Sequence, residues 1–153
     1  MGAPVPTTAA ELEAFFHASI PLTAAQGLVV AALSPTAVEL RAPLAPNVND
    51  KGCAFGGGLG SLLTLAAWTL PATALAREGL AAEVYIQDAT QKYLAPVWGD
   101  LVASAELSEA AATEFLDAFR SKGKARLTVT STIYYDGAPA ATLEARFVAL
   151  KPR

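Results

Sequence analysis

Between Lys51 and Arg77 the chain carries no charged side chain over 25 residues. A helix with so little polar surface either crosses a bilayer or is buried on all sides within a protein. The stretch opens CAFGGGLGS and contains Thr64, Thr69, Thr73 and Pro71. The segments after it alternate apolar and polar residues, as strands of a water-exposed sheet do. A buried helix from about Gly57 to Arg77 is therefore expected, and no membrane span. Pro71 should kink or divide it, and Gly79 should cap its C-terminal end.

At 153 residues the chain has the length of one domain that can bury a full core. The reading is one domain over 1–153, with 1–7 a loose end. Thr7 or Thr8 caps a first helix, which Pro21 stops. Strands are expected in GLVVAALS and TAVELRA, joined by a turn at Ser34-Pro35-Thr36. The segment PLAPNVNDKGCAF then reads as a long ordered loop. After the buried helix, strands are expected at 83–93, in DLVASAEL, in KARLTVTSTIYY and in APAATLEARFVALK. A short helix capped by Ser108 interrupts them, and Asp136-Gly137 marks a hairpin. Helices and strands in this order make an α+β protein, not an alternating βαβ one.

Charged residues are 16% of the chain, against about 25% in an ordinary soluble domain. Some apolar surface should therefore be covered by a second copy or by a ligand. The net charge of −3 argues against broad attraction to nucleic acid. A single cysteine, Cys53, and a single histidine, His17, exclude a disulfide framework and a cysteine metal cluster. The first twenty residues lack a secretory pattern, so a cytoplasmic location is expected.

Several residues could carry chemistry. On a regular strand 83–93, Val84, Ile86, Asp88 and Thr90 share one face, and Glu83, Tyr85, Gln87 and Gln91 share the other. Asp88 would then lie on the apolar face against the helix. There it is either a general base or orienting group in a pocket, or a carboxylate bonded to backbone N–H groups of the loop 47–58. Asn47, Asn49 and Asp50 could position a water or polarise a carbonyl, or simply make turns. Gly56, Gly57, Gly58 and Gly60 permit close approach to free N–H groups at the positive end of the helix. Neither a P-loop nor a dinucleotide fingerprint is present. Cys53 reads as buried and inert, His17 as a packing or capping residue, and Thr64 as a hydroxyl bonded within its own helix. Arg120, Lys122, Lys124 and Arg126 form a basic cluster that could meet phosphates or protect a sheet edge.

Taken together, HASIPLTAAQGLVV, APLAPNVNDKGCAFGGGLGSLLTLAAW, IQDATQKYLAPVWGD, FRSKGKARL and RFVAL resemble the hotdog-fold thioesterase superfamily. Within it, they are most similar to the thioesterase domain that follows an acetyltransferase domain in some bacteria. The resemblance implies a long helix wrapped by a curved antiparallel sheet. It implies a homodimer joined edge to edge, sometimes a dimer of dimers, with sites at the dimer interface. Substrates would be acyl groups on coenzyme A or acyl carrier protein, with no metal or redox cofactor.

Many members open the helix with His-Gly-Gly. Here Phe55-Gly56-Gly57 stands at that place, and the N–H of Gly57 would still polarise the thioester carbonyl. Asn49 matches an asparagine of the family, and Thr64 stands where many members carry a catalytic Asp or Glu. Phe55, Gly56, Gly58 and Asn47 would line the substrate site, and Lys122, Lys124 and Arg126 would meet coenzyme A phosphates. The expected function is acyl-thioester hydrolysis, with water oriented or deprotonated by Asn49 and Asp50 or Asp88. The alternative is an acyl or acyl-CoA binding protein without turnover, which the missing helix carboxylate favours. A dehydratase is a third reading, but would want the histidine that Phe55 replaces.

Overall fold

The long uncharged segment forms one helix, and six antiparallel strands wrap it. The computed structural model describes residues 4–153. In order, the elements are α1 (Ala9–Ser19), α2 (Pro21–Gln26), β1 (Val29–Leu33), β2 (Ala37–Ala42), a 3-10 turn (Ala45–Asn47), α3 (Gly56–Arg77), β3 (Glu83–Tyr93), β4 (Leu101–Glu106), α4 (Glu109–Lys122), β5 (Lys124–Tyr135) and β6 (Ala138–Leu150). The sheet order is β1-β2-β4-β5-β6-β3. This is the expected α+β hotdog architecture.

α3 is 22 residues long, or about 33 Å at 1.5 Å per residue. It is long and apolar enough to cross a membrane, yet 72% of its most apolar window is buried inside the protein. Leu59, Leu62, Leu63, Ala66, Leu70 and Leu75 all lie in the core. They meet the inward residues of the sheet, among them Leu40, Ala103, Val129, Leu143 and Phe147. Pro71 does not divide the helix, which runs unbroken through it. The end is a Schellman motif: Leu80 N–H donates to Leu75 O at 3.0 Å and Gly79 N–H to Ala76 O at 3.0 Å. Gly79 takes φ +67°, a conformation other residues adopt at a cost.

Local signals are realised closely elsewhere. Ser108 caps α4 by accepting from Ala111 N–H at 3.1 Å. Asp136 and Gly137, at φ 54° and 77°, turn β5 into β6. Pro21 separates two helices rather than ending helical structure, because it opens α2 at a position where its missing N–H costs no bond. The expected loose end 1–7 lies partly outside the described residues. Within them, Val5 packs against the core, and Thr7 O accepts from the Arg77 guanidinium at 3.4 Å.

β3 departs from regular alternation. Val84 and Ile86 pair with Ala149 and Phe147, whereas Asp88 pairs with Arg146 and Gln91 with Leu143. A bulge between Ile86 and Asp88 inserts one extra residue, and side chains beyond it change face. Asp88 therefore points away from α3, while Ala89, Gln91 and Tyr93 share the face of buried Ala145, Leu143 and Ala141.

Candidate active site

The N-terminal turn of α3 is built from glycine, and no side chain caps it. The first intrahelical donor is Leu59 N–H, bonded to Phe55 O at 3.1 Å. The N–H groups of Gly56, Gly57 and Gly58 are the orphan donors of a helix start, at its positive end. The preceding loop is pinned on both sides: Phe55 N–H donates to Asn47 O at 2.7 Å and Ala54 N–H to Val97 O at 2.8 Å.

Two clefts meet here. One, of about 250 Å³, is lined by Leu22, Gln26, Asn47, Phe55, Gly58 and others. The second, of about 430 Å³, is lined by Ile20, Gly56, Thr64, Leu65, Gln91, Tyr93 and others. Gly57 and Ser61 line both. Phe55 is 58% exposed, and its ring lies over Gly57, where a Cβ would come within 2.3 Å of it. Only glycine fits beneath that ring as it stands.

Asn47, Phe55, Gly56, Gly57, Gly58 and Thr64 are thus brought together as expected for a site. Asn47 is 6% exposed, and its Nδ2 donates to Gln26 O at 2.9 Å and Pro43 O at 2.8 Å. Both bonds hold the loop, which is the structural one of the two readings that its sequence left open. Thr64 is half-buried, and its hydroxyl makes no hydrogen bond among the described residues. The expected back-bonding occurs instead at Thr69, to Leu65 O at 2.7 Å, and at Thr73, to Thr69 O at 2.8 Å.

Other expectations are corrected. Asp88 does not face the helix: its side chain is 67% exposed and pairs with Arg146 at 3.2 Å on the outer face. The bulge is the physical reason. Asn49 turns its groups onto its own loop, accepting from Lys51 N–H at 2.8 Å and Cys53 N–H at 3.2 Å, and donating to Cys53 Sγ at 3.2 Å. Asp50 is exposed and pairs with Lys51 at 3.0 Å. Neither Asn49 nor Asp50 lines the clefts.

Lys122, Lys124 and Arg126 lie at the other end of the sheet. Lys124 shares a row with Leu150 and Glu83, whereas Tyr93, beside Gly56, shares one with Ala141 and Ile133. Nine residues of β5 and of β6, about 30 Å, separate the rows. Within one chain the basic residues and the α3 N-terminus do not form one site. His17 bonds Leu28 O at 2.7 Å, and Cys53 is buried, both as packing residues.

Four polar lining residues were not singled out by their sequence. Gln26 is 3% exposed; its Nε2 donates to Gly58 O at 2.9 Å and its Oε1 accepts from Ser61 at 3.5 Å. Ser61, Gln91 and Tyr93 complete the set. A polar Gln26 just before Gly27 in an apolar run was the available signal for the first. For Gln91 and Tyr93 the signal was masked, because regular alternation assigns Gln91 to the outer face. No Asp, Glu or His lines either cleft among the described residues.

A buried helix whose unpaired N-terminal amides open between two clefts, inside a curved antiparallel sheet, defines a hotdog thioesterase-like domain. Residues 9–151 match the family described as "Putative thioesterase (yiiD_Cterm)", and the chain belongs to this family. It is similar to the crystal structure of a Chlorobaculum tepidum protein of unknown function, with 30% identity, TM-score 0.90 and 94% of each chain covered. A "putative thioesterase" from Shewanella oneidensis has 22% identity and TM-score 0.83, covering 93% of this chain and 96% of that one. A Pseudomonas aeruginosa protein of unknown function has 22% identity and TM-score 0.79, covering 97% and 98%. The last two share the fold.

Proposed function

We propose that the chain is an acyl-thioester hydrolase acting on acyl groups carried by coenzyme A or acyl carrier protein. The observation that carries this is the set of unpaired Gly56, Gly57 and Gly58 N–H groups where the two clefts meet. In this proposal the thioester oxygen accepts from the N–H of Gly57, whose dipole, with that of the helix start, stabilises the charge that develops as water adds to the carbonyl carbon. The C–S bond then breaks, and the thiolate takes up a proton. The acyl tail lies among Leu22, Pro46, Val48 and Phe55, and the hydroxyls of Ser61 and Thr64 orient the water.

The working unit in this proposal is a homodimer, with a dimer of dimers open to it. β3 supports this, because it is an 11-residue edge strand on which Tyr85 and Ile86 are exposed. Long exposed edges of this kind seek a partner strand. A cytoplasmic location is part of the same proposal, supported by burial of the one membrane-length helix.

Among the described residues no carboxylate or imidazole lines the clefts, which favours a second reading, an acyl or acyl-CoA binding protein without turnover. Incubation of purified protein with acyl-CoA and acyl carrier protein thioesters of graded chain length separates the two. Release of free thiol above background supports hydrolysis. An intact complex retained over hours in native mass spectrometry supports binding alone. If no thioester is either cleaved or held, both readings fail.

A further inference from the structure

The bulge that turns Asp88 outward also brings a different pair of side chains inward. The Gln91 carboxamide rests directly on α3, where a Cβ at Gly60 would lie 2.8 Å from both its Nε2 and its Oε1. The Tyr93 hydroxyl donates to Gln91 Oε1 and lies 3.4 Å from Gly56 O. In that bond Oε1 is the acceptor, which leaves Nε2 with its two donors. Gln91 Nε2 makes no hydrogen bond among the described residues, and Gln91 lines the same cleft as Gly57, Ser61 and Thr64.

Gly60 is three residues beyond Gly57, a rise of about 4.5 Å. An idle side-chain N–H thus stands within one helical turn of an idle backbone N–H. Two free donors lining one cleft suit an oxygen with two lone pairs on which negative charge develops. The other side-chain amides near the helix start are already engaged: Gln26 Nε2 with Gly58 O, Asn47 Nδ2 with Gln26 O and Pro43 O, and Asn49 Nδ2 with Cys53.

We propose that Gln91, oriented by Tyr93, donates from Nε2 to the thioester carbonyl oxygen beside the Gly57 N–H. Gln91 is then a substrate-binding and catalytic residue, and Tyr93 a positioning residue. The assignment rests on the thioester carbonyl lying at Gly57, and it holds whether the bound thioester is cleaved or only retained.

The test uses the full chain and two uncleavable ligands: the acyl-CoA ketone in which CH2 replaces the thioester sulfur, and the S-alkyl-CoA thioether, which lacks the carbonyl. Calorimetry on Gln91→Met should show the ketone bound about 10-fold more weakly, a single lost hydrogen bond, with the thioether unchanged. Gly60→Ala, which displaces the amide from the helix, should give the same pattern. Tyr93→Phe should give a smaller loss in the same direction. In isotope-edited infrared spectra, the red shift of the bound ketone carbonyl should shrink in Gln91→Met. If thioesters are cleaved, Gln91→Met should lower kcat by roughly 100-fold with a smaller change in KM.

Equal weakening for ketone and thioether, or weakening for neither, overturns the role of Gln91 and leaves the thioester site standing. If the wild-type chain binds neither ligand and cleaves no thioester, the underlying site assignment falls and this inference falls with it. Circular dichroism and melting of each variant separate lost contacts from lost folding. Should Gln91→Met not fold, the Gly60→Ala comparison decides.

Discussion

The two ends of α3 are made of similar residues and do opposite things. Toward its C-terminus, Thr69 and Thr73 are fully buried, and each hydroxyl donates to a carbonyl one turn back. Thr73 also accepts from Arg77 at 3.2 Å. Burial there lowers the pKa of the Arg77 guanidinium from its ordinary value, and the Schellman turn closes the helix end. Toward the N-terminus, three glycine N–H groups have no cap, Thr64 has no hydrogen-bond partner among the described residues, and Phe55 stands over Gly57 half in solvent. One end satisfies its polar groups internally and supplies stability. The other keeps them available to a ligand, and the buried end makes that affordable.

This contrast can be broken by substitution. The largest effect is expected at the stable end, where Leu70→Ala, at a fully buried position, should lower unfolding free energy by about 2–5 kcal/mol. Urea denaturation would measure it, and a loss below about 1 kcal/mol would mean that this half is not the stabilising one. Gly57→Ala should instead change stability by less than about 1 kcal/mol. Thioester cleavage or ligand affinity should nevertheless fall at least about 10-fold, because the new Cβ must displace the Phe55 ring.

The threonines sharpen the comparison further. Thr73→Val should cost about 1 kcal/mol by removing a buried bonded hydroxyl. Thr64→Val should leave stability within about 0.5 kcal/mol and alter ligand binding or turnover. Equal melting shifts for the two variants would erase the distinction. The smallest effect is expected at Asp88→Asn, which removes an exposed ion pair usually contributing about 1 kcal/mol or less. Turnover measured on that variant should match wild type; a collapse would return Asp88 to the chemistry. With no carboxylate or imidazole in the clefts among the described residues, the pH–rate profile should rise with pH and show no plateau in the carboxylate range.

Much of the architecture was legible because its signals are local. The Asp136-Gly137 turn, the Ser108 cap, the Gly79 stop and the uncharged run of α3 each depend on residues a few positions apart. Pro21 was legible as a boundary but not as the start of α2, since a missing N–H suits both a helix end and a first turn. The site was half legible. The glycine turn, Asn47, Phe55 and Thr64 line adjoining clefts, as the family resemblance implied. Asp88, Asn49, Asp50 and the basic cluster do not, and Gln26, Ser61, Gln91 and Tyr93 take their place along the clefts.

By itself the amino-acid order determined that one helix must be hidden, that strands must hide it, and that backbone donors must stand at its glycine end. Tertiary structure decided which side chains meet those donors. The phase of β3 is a property of its pairing with β6: one extra residue at the bulge exchanges Asp88 for Gln91 on the inner face. The pairing of β5 with β6 sets Lys124 and Arg126 at the far end of the sheet from Gly57. The exchange of Asp88 for Gln91 could not be read along one strand, because register there is settled by hydrogen bonds to a neighbour more than fifty residues away in the chain.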